Sequence, residues 1–327
     1  CGVCRSDWHA WMGHGEWADD RVPRGQVLGH EPAGEVVAVG PSVDRFEPGD
    51  RVVVPFSLGD ATCPYCRRGA GNVCADGRAL GFEADAPGAF AERVAVPAAD
   101  YNLVERPPWL DATAAAALGC RYMTAYHALA ERAGLSGGDA LAVHGCGGVG
   151  LSAVQIGDAL GARVVAVDVD DDALSLASDL GADALVNAAD VPDAGGDGSV
   201  PDRVRDLTDG GADVSVDALG IAETCRNSVR SVRPRGTHVQ VGLTTEAERG
   251  EVSLPTDWMT RWEVSFVGSR GMPPTSYDDL FALVEATDVD PGALVSDEIA
   301  LSAVSDRLAA LGEYDVHGVE VVTEFER

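Results

Sequence analysis

The sequence predicts an α/β protein that combines a doubly wound parallel sheet with a smaller domain of short strands. Beyond residue 134, apolar strand-length runs alternate with amphipathic helices, which is the pattern of a parallel sheet covered on both faces. Between residues 22 and 54, short valine-rich runs are separated by turn residues, which is typical of small all-β architecture.

In the N-terminal part we predict strands at 36–40 (VVAVG) and 51–56 (RVVVPF), joined by the turn PSVDRFEPGD. A loop rich in Cys, Gly and Arg follows at about 60–75, and 89–97 (AFAERVAVP) is strand-like again. Because this loop has no hydrophobic pattern, we expect something other than a core to hold it.

An alanine-rich helix is predicted from Asp111 to a C-cap at Gly134, and we expect it to bridge two domains. The alternating elements come next. The predicted strands are 140–145, 163–170, 184–187, 212–220 and 237–243, and the predicted helices are 151–160, 171–181, 202–208 and 222–232. Residues 190–202 are predicted to be a polar loop, and the tail from about Gly268 returns to mixed helix and strand.

The chain of 327 residues is strongly acidic, with a formal net charge of -29. This charge argues against nucleic acid or an anionic membrane as a partner, because both would be repelled. The 24 basic residues are all arginine, which a genomic bias would explain, but a bias does not require 53 acidic residues. We interpret the composition as an adaptation to molar salt, where self-repulsion is screened within about 3 Å.

The apolar runs are far shorter than the roughly 18 residues of a membrane span, and no export signal is visible. We therefore expect a cytoplasmic protein. Because the chain begins at Cys1 without a methionine, we also expect its first residues to be missing. In this setting the eight cysteines favour metal ligation over disulfides.

The run VHGCGGVG lies between a predicted strand and a predicted helix. The glycines in G-x-G-x-x-G register are Gly145, Gly147 and Gly150. The first permits a tight turn, the second lets a pyrophosphate approach the backbone, and the third allows close helix packing. Gly148 and Val149 open the helix, whose N-terminus favours the anionic group. The segment predicts a dinucleotide-binding site.

The second predicted strand contains Asp168, whose carboxylate can accept hydrogen bonds from the adenosine ribose. Residues 169–172 include no arginine that would meet a 2'-phosphate. We therefore predict NAD rather than NADP. The alternative is that Asp168 only caps the next helix.

The loop CPYCRRGAGNVC supplies three thiolates, Cys63, Cys66 and Cys74. A structural zinc takes four ligands, and Asp60 is the best fourth candidate because carboxylate oxygen also binds zinc. A loop without a core needs such a clamp. The alternative is a loop with free thiols, since Asp is a poorer zinc ligand than Cys.

A second set of candidate ligands is dispersed and consists of Cys4, His30 and Cys120. A catalytic zinc takes three protein ligands and leaves the fourth position to water or substrate. Spacing alone cannot identify dispersed ligands, because single Cys and His residues are more often structural.

The order of the motifs resembles that of the zinc-dependent medium-chain alcohol dehydrogenases over essentially the whole chain. The resemblance rests on CGVCRSDWHA, GHEPAGEVVAVG, CPYCRRGAGNVC, LGCRYMTAYHAL, GCGGVG and GVEVVTEF. It implies a partly open β-barrel (GroES-like) catalytic domain at 1–120, an inserted Rossmann domain that binds NAD at 121–268, and a return to the catalytic domain at 269–327. It also implies a homodimer or homotetramer with paired Rossmann sheets.

The resemblance assigns Cys4, His30 and Cys120 to a catalytic zinc. Glu31 matches a carboxylate that lies near the metal and can coordinate it transiently, and Asp7 matches one that orients the ligand histidine. The family usually has four cysteines in the zinc loop, and here Asp60 stands in place of the first.

Further roles follow from the same resemblance. The residues matched to cofactor contacts are Arg5 for the phosphates, Thr124 for the nicotinamide ring, and Val241. Ser6 matches the hydroxyl that takes the substrate proton and His9 the outer end of a relay to solvent; the alternative for Ser6 is a helix N-cap. Phe56 and Leu243 match pocket walls of the family, and Trp8 and Trp11 are further candidates. Such walls favour an apolar or modest-sized alcohol or aldehyde, and the alternative is that these residues are ordinary core.

The predicted reaction is reversible hydride transfer between an alcohol and NAD, with zinc as the Lewis acid. One alternative is a polyol or sugar dehydrogenase on the same scaffold. Two further alternatives are a non-catalytic protein that binds zinc and NAD, and a relative of the zinc-independent quinone reductases. Against these last two stands the intact set of Cys4, Ser6, Asp7, His30 and Cys120.

Overall fold

The structure is a computed structural model that describes residues 1–13, 22–191, 198–312 and 318–325. It divides into two compact units: unit 1 is Cys1–Met123 with Gly271–Arg327, and unit 2 is Thr124–Arg270. The middle of the predicted polar loop at 190–202 lies outside the described residues. Among the described residues, no helix is both long and apolar enough to cross a membrane.

In chain order the strands are β1 (Gly2–Val3), β2 (Ala33–Glu35), β3 (Arg51–Val53), β4 (Ser57–Leu58), β5 (Arg78–Ala79), β6 (Val104–Glu105), β7 (Ala140–His144), β8 (Arg163–Asp168), β9 (Ala184–Asn187), β10 (Ala212–Asp217), β11 (Val232–Gln240), β12 (Ser265–Gly268), β13 (Val295–Ala300) and β14 (Val319–Glu324). The α-helices are α1 (Arg5–Met12), α2 (Ala99–Asn102), α3 (Ala112–Ala117), α4 (Met123–Tyr126), α5 (Gly148–Ala159), α6 (Asp171–Asp179), α7 (Val200–Leu207), α8 (Ala222–Ser231), α9 (Thr256–Trp262), α10 (Tyr277–Ala286) and α11 (Val304–Gly312).

Unit 1 is built on small sheets. Its described strands form the sheets β1-β14-β13 and β2-β3-β6 and the antiparallel pair β4-β5. The antiparallel pairing of β1 with β14 joins the start of the chain to residues 319–324. A core that includes Val3, Leu308 and Val322 fixes this junction, and α1 begins directly beside it.

Two strands predicted in unit 1 are wrong, because 36–40 and 89–97 adopt no strand. The side chains of Val37 and Val39 are 59% and 41% exposed. No strand of the described residues pairs with either segment. Alternating valines suit a strand, but a strand forms only where a neighbouring strand or a buried face stabilises it.

The predicted helix between Asp111 and Gly134 is confirmed, with interruptions. Asp111 caps α3 by accepting a hydrogen bond from the Ala114 amide at 2.8 Å, and Gly134 ends the segment at a φ of 69°. The backbone widens into π-helix at Leu118–Tyr122 and again at His127–Ala133. Such turns change the direction in which side chains point and recur at functional sites.

Unit 2 is built on a six-stranded parallel sheet of order β12-β11-β10-β7-β8-β9. The strand order reverses between β7 and β10, which is the arrangement of a doubly wound sheet. The predicted fold class is therefore confirmed, and each predicted strand and helix of this segment is present with ends shifted by a few residues. Strand β12 and helix α9 had not been identified individually.

Candidate active site

The first metal cluster is assembled in unit 1 from three segments that are far apart in sequence. Cys4 is the N-cap of α1, His30 precedes β2, and Cys120 lies in the π-helical turn after α3. One candidate ligand atom from each of these residues and from Glu31 lies within 4.8 Å of all the others. The structure therefore brings the dispersed candidates together, mostly in a buried position.

Asp7 connects these segments. Its Oδ2 accepts a hydrogen bond from the Cys4 amide at 3.1 Å, and its Oδ1 accepts one from the Gly29 amide and contacts His30 Nδ1, both at 3.0 Å. The other ring nitrogen, His30 Nε2, is buried and has no hydrogen-bond partner in the described part of the chain. An unpartnered imidazole nitrogen beside two cysteine sulfurs fits zinc, whose ligand histidines are commonly held by a carboxylate.

The electrostatics of the cluster suit a cation. A hydrogen bond from Cys120 lowers the pKa of Cys4, and the charge of Arg121 lowers it further, while the same bond raises the pKa of Cys120. Burial acts to lower the pKa of His30, but the charge and hydrogen bond of Asp7 outweigh burial and raise it. Cysteine and histidine must be deprotonated to bind a metal, so metal binding here is pH-dependent.

Arg121 contacts this cluster, and it was not among the residues predicted from the sequence. Its Nη1 donates to Glu31 Oε2 at 2.6 Å and its Nη2 donates to the Val3 carbonyl. Glu31 Oε1 accepts from the Cys120 amide at 3.2 Å, and burial raises the pKa of Glu31 to about 7. A Cβ atom on Gly119 would lie 2.5 Å from Glu31 Cβ, so only glycine allows this approach. The available signal was an arginine directly after a candidate ligand.

The residues matched to a proton relay share one helix. Ser6 and His9 are three residues apart on α1, so they lie on the same face, and both are half-buried. The alternative that Ser6 is the N-cap is wrong, because Cys4 occupies that position.

The candidate pocket residues of unit 1 lie in different surroundings. Phe56 is buried, and its ring stands edge-on to His30 with 5.7 Å between centroids. Trp8 packs under the Arg5 guanidinium at 4.4 Å, and Arg5 Nη1 also donates to the Leu311 carbonyl at 2.9 Å. Trp11 is 47% exposed. Of the contacts described, that of Phe56 places a pocket candidate directly against a metal-ligand candidate.

The second cluster is compact. Asp60, Cys63, Cys66 and Cys74 each offer a ligand atom within 4.8 Å of the others. The amides of Cys63 and Thr62 donate to Asp60 Oδ1 at 2.9 and 2.8 Å, which lowers the pKa of this carboxyl. The Cys66 amide donates to Cys63 Sγ, and the Asp60 amide to Cys74 Sγ, both at 3.4 Å. An ionised carboxylate and sulfurs that accept N–H bonds fit a four-ligand zinc site.

All eight cysteines lie among the described residues and all are free thiols. Five of them belong to the two clusters, and Cys1, Cys146 and Cys225 are buried elsewhere. The expectation of metal ligation rather than disulfides agrees with this distribution.

In unit 2 the glycine-rich segment connects β7 to α5. Gly147 is the N-cap of α5, and Gly148 and Val149 are its first two residues. A Cβ atom on Gly150 would overlap the Gly145 carbonyl oxygen, so the turn packs directly against the helix. The first amides of a helix have no partner within it, which leaves them available to an anion.

Asp168 ends β8 beside this segment. Its Oδ2 accepts from the Cys146 amide at 2.6 Å, and its Oδ1 accepts from the Val169 and Asp170 amides at 2.7 and 3.1 Å. Helix α6 is capped by Asp170, so the alternative that Asp168 only caps this helix is wrong. The carboxylate ties the glycine turn to the end of the second strand.

The remaining candidates of unit 2 differ in burial. Thr124 Oγ1 is buried and has no hydrogen-bond partner in the ranges that the structure describes, which fits a group reserved for a ligand. Val241 directly follows β11, and its amide donates to the Asp217 carbonyl at 3.1 Å. Leu243 is 63% exposed.

Two protein families match the sequence. The family described as alcohol dehydrogenase GroES-like domain matches residues 1–108, and the family described as zinc-binding dehydrogenase matches residues 148–286. A sorbitol dehydrogenase of Halalkalibacterium halodurans is 31% identical, covering 92% of this chain and 83% of the relative. An NAD-dependent alcohol dehydrogenase of Sulfurisphaera tokodaii is 32% identical, covering 98% and 89%.

Among solved structures, the alcohol dehydrogenase TADH from Thermus sp. ATN1 superimposes with a TM-score of 0.87 at 31% identity, covering 98% of this chain and 90% of that one. The likeness therefore extends over both units rather than over the glycine-rich segment alone. The chain belongs to the zinc-dependent medium-chain alcohol dehydrogenase family, and it is an oxidoreductase that acts on CH–OH groups.

Proposed function

We propose that the protein interconverts an alcohol and its aldehyde or ketone, with NAD as the hydride carrier. The observation that carries this proposal is the cluster of Cys4, His30 and Cys120, because three such ligands are the set that a catalytic zinc uses. When bound, zinc supplies a Lewis acid that lowers the pKa of the alcohol. We assign catalysis to 1–120 with 269–327 and NAD binding to 121–268, and the division of the chain near residues 123 and 270 supports this.

The chain's own residues perform the remaining steps. Asp7 orients His30 through Nδ1, and Arg121 keeps the Glu31 carboxylate beside the cluster. We assign the substrate proton to Ser6 and its transfer to solvent to His9, on the evidence of their shared helix face. Phe56 gives His30 an apolar neighbour on one side.

We assign NAD as the cofactor. In support, Asp168 ends the second strand beside the glycine turn. Asp170, Asp171 and Asp172, which follow it after Val169, would repel a 2'-phosphate. The Sulfurisphaera tokodaii relative is also named NAD-dependent. We further assign Arg5, Thr124 and Val241 to cofactor contacts.

A polyol is the second candidate substrate. One observation favours it: the Halalkalibacterium halodurans relative is named sorbitol dehydrogenase. The apolar ring of Phe56 beside His30 favours an apolar alcohol instead.

Steady-state kinetics decide between them. The test measures kcat/KM for primary alcohols, secondary alcohols and polyols, with NAD and with NADP, on protein of known zinc content. We expect the highest kcat/KM with NAD and an apolar alcohol. Higher values with polyols would replace the substrate, a preference for NADP would overturn the cofactor, and full turnover without zinc would overturn the mechanism.

We propose a structural zinc for the second cluster, with Asp60 as the fourth ligand. The expected zinc content is about two ions per chain, from the ligand numbers of the two clusters. In Asp60→Ala it should fall toward one while turnover persists, and in the control Asp76→Ala, an exposed carboxylate of the same loop, it should not change. Equal zinc content in wild type and Asp60→Ala would remove Asp60 from the ligands.

Salt tolerance is proposed from the net charge of -29. Melting temperature and activity should both rise with KCl as the mutual repulsion of the carboxylates is screened. A protein that is fully stable and active in dilute buffer would contradict this interpretation. We also propose a cytoplasmic location, because the thiols of both clusters must stay reduced to bind metal.

We propose a homodimer or homotetramer in which Rossmann sheets pair. In support, β12 is an edge strand of the six-stranded sheet and its Phe266 side chain is 40% exposed. Light scattering on the wild type and on Phe266→Asp should show an oligomer that the substitution dissociates. A monomeric wild type would contradict the proposal.

A further inference from the structure

A chain of polar side chains, buried except for the half-buried Gln240, runs through the sheet of unit 2, where a parallel sheet is usually apolar. Its members lie on β10, α8 and β11, and in order they are Ser215, Ser228, His238, Gln240 and Asp217. Ser228 Oγ lies 2.8 Å from both Ser215 Oγ and His238 Nδ1. His238 Nε2 lies 3.2 Å from Gln240 Oε1, and Gln240 Nε2 lies 2.8 Å from Asp217 Oδ2.

The two acceptors that Gln240 contacts determine which partner donates in each hydrogen bond of this polar chain. Gln240 Nε2 donates to the Asp217 carboxylate and, at 2.9 Å, to the Gly242 carbonyl, neither of which can donate. Gln240 Oε1 must then accept from His238 Nε2, and His238 Nδ1 must accept from Ser228. Burial lowers the pKa of His238 to about 4, which keeps it in this neutral form at neutral pH.

The chain ends at Asp217, which holds two loops at once. Its Oδ1 accepts from the Leu219 and Gly220 amides, both at 3.0 Å, in the loop after β10. Its backbone carbonyl accepts from the Val241 and Gly242 amides at 3.1 and 2.8 Å, in the loop after β11. One fully buried residue therefore sets the backbone of both loops.

Both loops lie at the carboxyl edge of the sheet: the loop after β10 lies beside the glycine turn, and the loop after β11 packs on it, since a Cβ atom on Gly242 would overlap the Gly220 nitrogen. The Ala218 amide donates to the His144 carbonyl at 2.9 Å, and a Cβ atom on Gly145 would lie 3.1 Å from Leu219 Cβ. The adjacent strands β7 and β10 are where the strand order reverses. In doubly wound sheets, ligands bind at this point.

We propose that Asp217 is a positioning residue for the cofactor, and that Gln240, itself oriented by His238, holds the Asp217 carboxylate in place. Asp217 acts through the loop at residues 219–220, which lies against the glycine turn, and through the loop at residues 241–242, which packs on that first loop. This inference rests on the proposed binding of NAD to unit 2.

The first test is Gln240→Leu, which removes the hydrogen bond that Gln240 donates to Asp217 Oδ2. The dissociation constant of NAD, measured by calorimetry on the zinc-loaded protein, should rise about tenfold, the effect of losing one hydrogen bond to a charged group. KM for NAD should rise with it. The kcat, the KM of the alcohol and the zinc content should stay at their wild-type values. Asp217→Asn should show the same pattern, because its NH2 group faces a donor in either orientation, the Leu219 and Gly220 amides or Gln240 Nε2.

The matched control is Ser231→Ala. Ser231 Oγ donates to the Asn227 carbonyl at 2.8 Å, and it is as buried as Ser228 on the same helix but outside the polar chain. Its loss should leave the dissociation constant of NAD unchanged, although it also removes a buried hydrogen bond. A purely structural role for Asp217 predicts instead that all three variants weaken NAD binding in proportion to their loss of melting temperature.

The outcomes separate the two proposals. If the wild type does not bind NAD at all, the proposed function fails. If the wild type binds NAD and either Gln240→Leu or Asp217→Asn, once folded, binds it equally tightly, the positioning role is overturned. If one of the two substitutions prevents folding, the other carries the test, and loss of folding in both would overturn a role confined to positioning.

Discussion

The two units build their sites in opposite ways. Unit 2 draws its glycine turn from one contiguous segment between β7 and α5, so the turn exists as soon as the strand and helix form. Unit 1 gathers Cys4, His30 and Cys120 from three separate segments, which Asp7 and Arg121 tie together. A contiguous site depends on local structure, whereas a dispersed site depends on the packing of distant segments.

Removing a proposed ligand from the dispersed site gives the largest expected loss of turnover. Cys4→Ala should lower turnover by about 10³- to 10⁴-fold, because the Lewis acid contributes several kcal/mol to the transition state. NAD binding to unit 2 should persist in calorimetry. Cys225→Ala, which removes another buried thiol outside both clusters, is the control and should keep its turnover. Wild-type turnover in Cys4→Ala would refute the assignment of this cluster.

A smaller loss of turnover is expected when the proposed proton relay is interrupted. Ser6→Ala should lower kcat by about 10²-fold, since a positioned proton acceptor contributes at least this much. Zinc content should stay at its wild-type value, because Ser6 lies outside the ligand cluster. Metal analysis together with kcat separates this effect from the loss of a ligand, and an unchanged kcat would take Ser6 out of the relay.

Acid should expose a further contrast between the units. In unit 1 the buried His30 is paired with Asp7, but in unit 2 burial lowers the pKa of His144 to about 3. The usual pKa of histidine is about 6.5, so as pH falls His144 is protonated in the unfolded chain before it is protonated in the folded chain. The folded state therefore loses stability as pH falls below about 6.5. Because of His144, the free energy of unfolding should fall by about 2 kcal/mol between pH 7 and pH 5.

The measurement compares wild type with His144→Val. Denaturant unfolding at the two pH values should show that the wild type loses about 2 kcal/mol more than the variant. Equal losses in the two proteins would mean that His144 is not held neutral in the folded state.

The smallest effect tests the contiguous site. Gly150→Ala forces a methyl group toward the Gly145 carbonyl, so the helix must move away from the turn. The dissociation constant of NAD should rise about tenfold, equivalent to about 1.4 kcal/mol of binding energy, with no loss of zinc. Gly268→Ala is the control, because a Cβ atom there meets nothing within 4 Å. Equal affinities in both variants would show that the close approach is not required.

The regular part of the fold was predictable because its signals are local. Apolar runs such as 163–170 are long enough to form strands in a buried sheet, and glycines at fixed spacing mark the turn that follows β7. The segments 36–40 and 89–97 show where such signals fail, since valines predict a strand only if a neighbouring strand is present. Asp60 was identified from sequence because it stands three residues before Cys63.

Arg121 shows what sequence reasoning could not reach. Its partners are the Glu31 carboxylate and the Val3 carbonyl, which are about 90 and 118 residues away along the chain. The same holds for Asp217, whose partner Gln240 lies on the neighbouring strand. No pattern of residue types predicts these pairs, because they depend on strand order and on the path of the chain.

The sequence by itself determined the doubly wound sheet, the glycine turn, the cysteine-rich loop and the acidic surface, since each depends on neighbouring residues or on composition. It also supplied the dispersed candidate ligands, but only through their resemblance to a family. The tertiary structure alone decided that Cys4, His30, Glu31 and Cys120 meet and that Arg121 and Asp217 organise their surroundings. Contacts between distant segments follow from burial and from the satisfaction of polar groups, which only the folded chain defines.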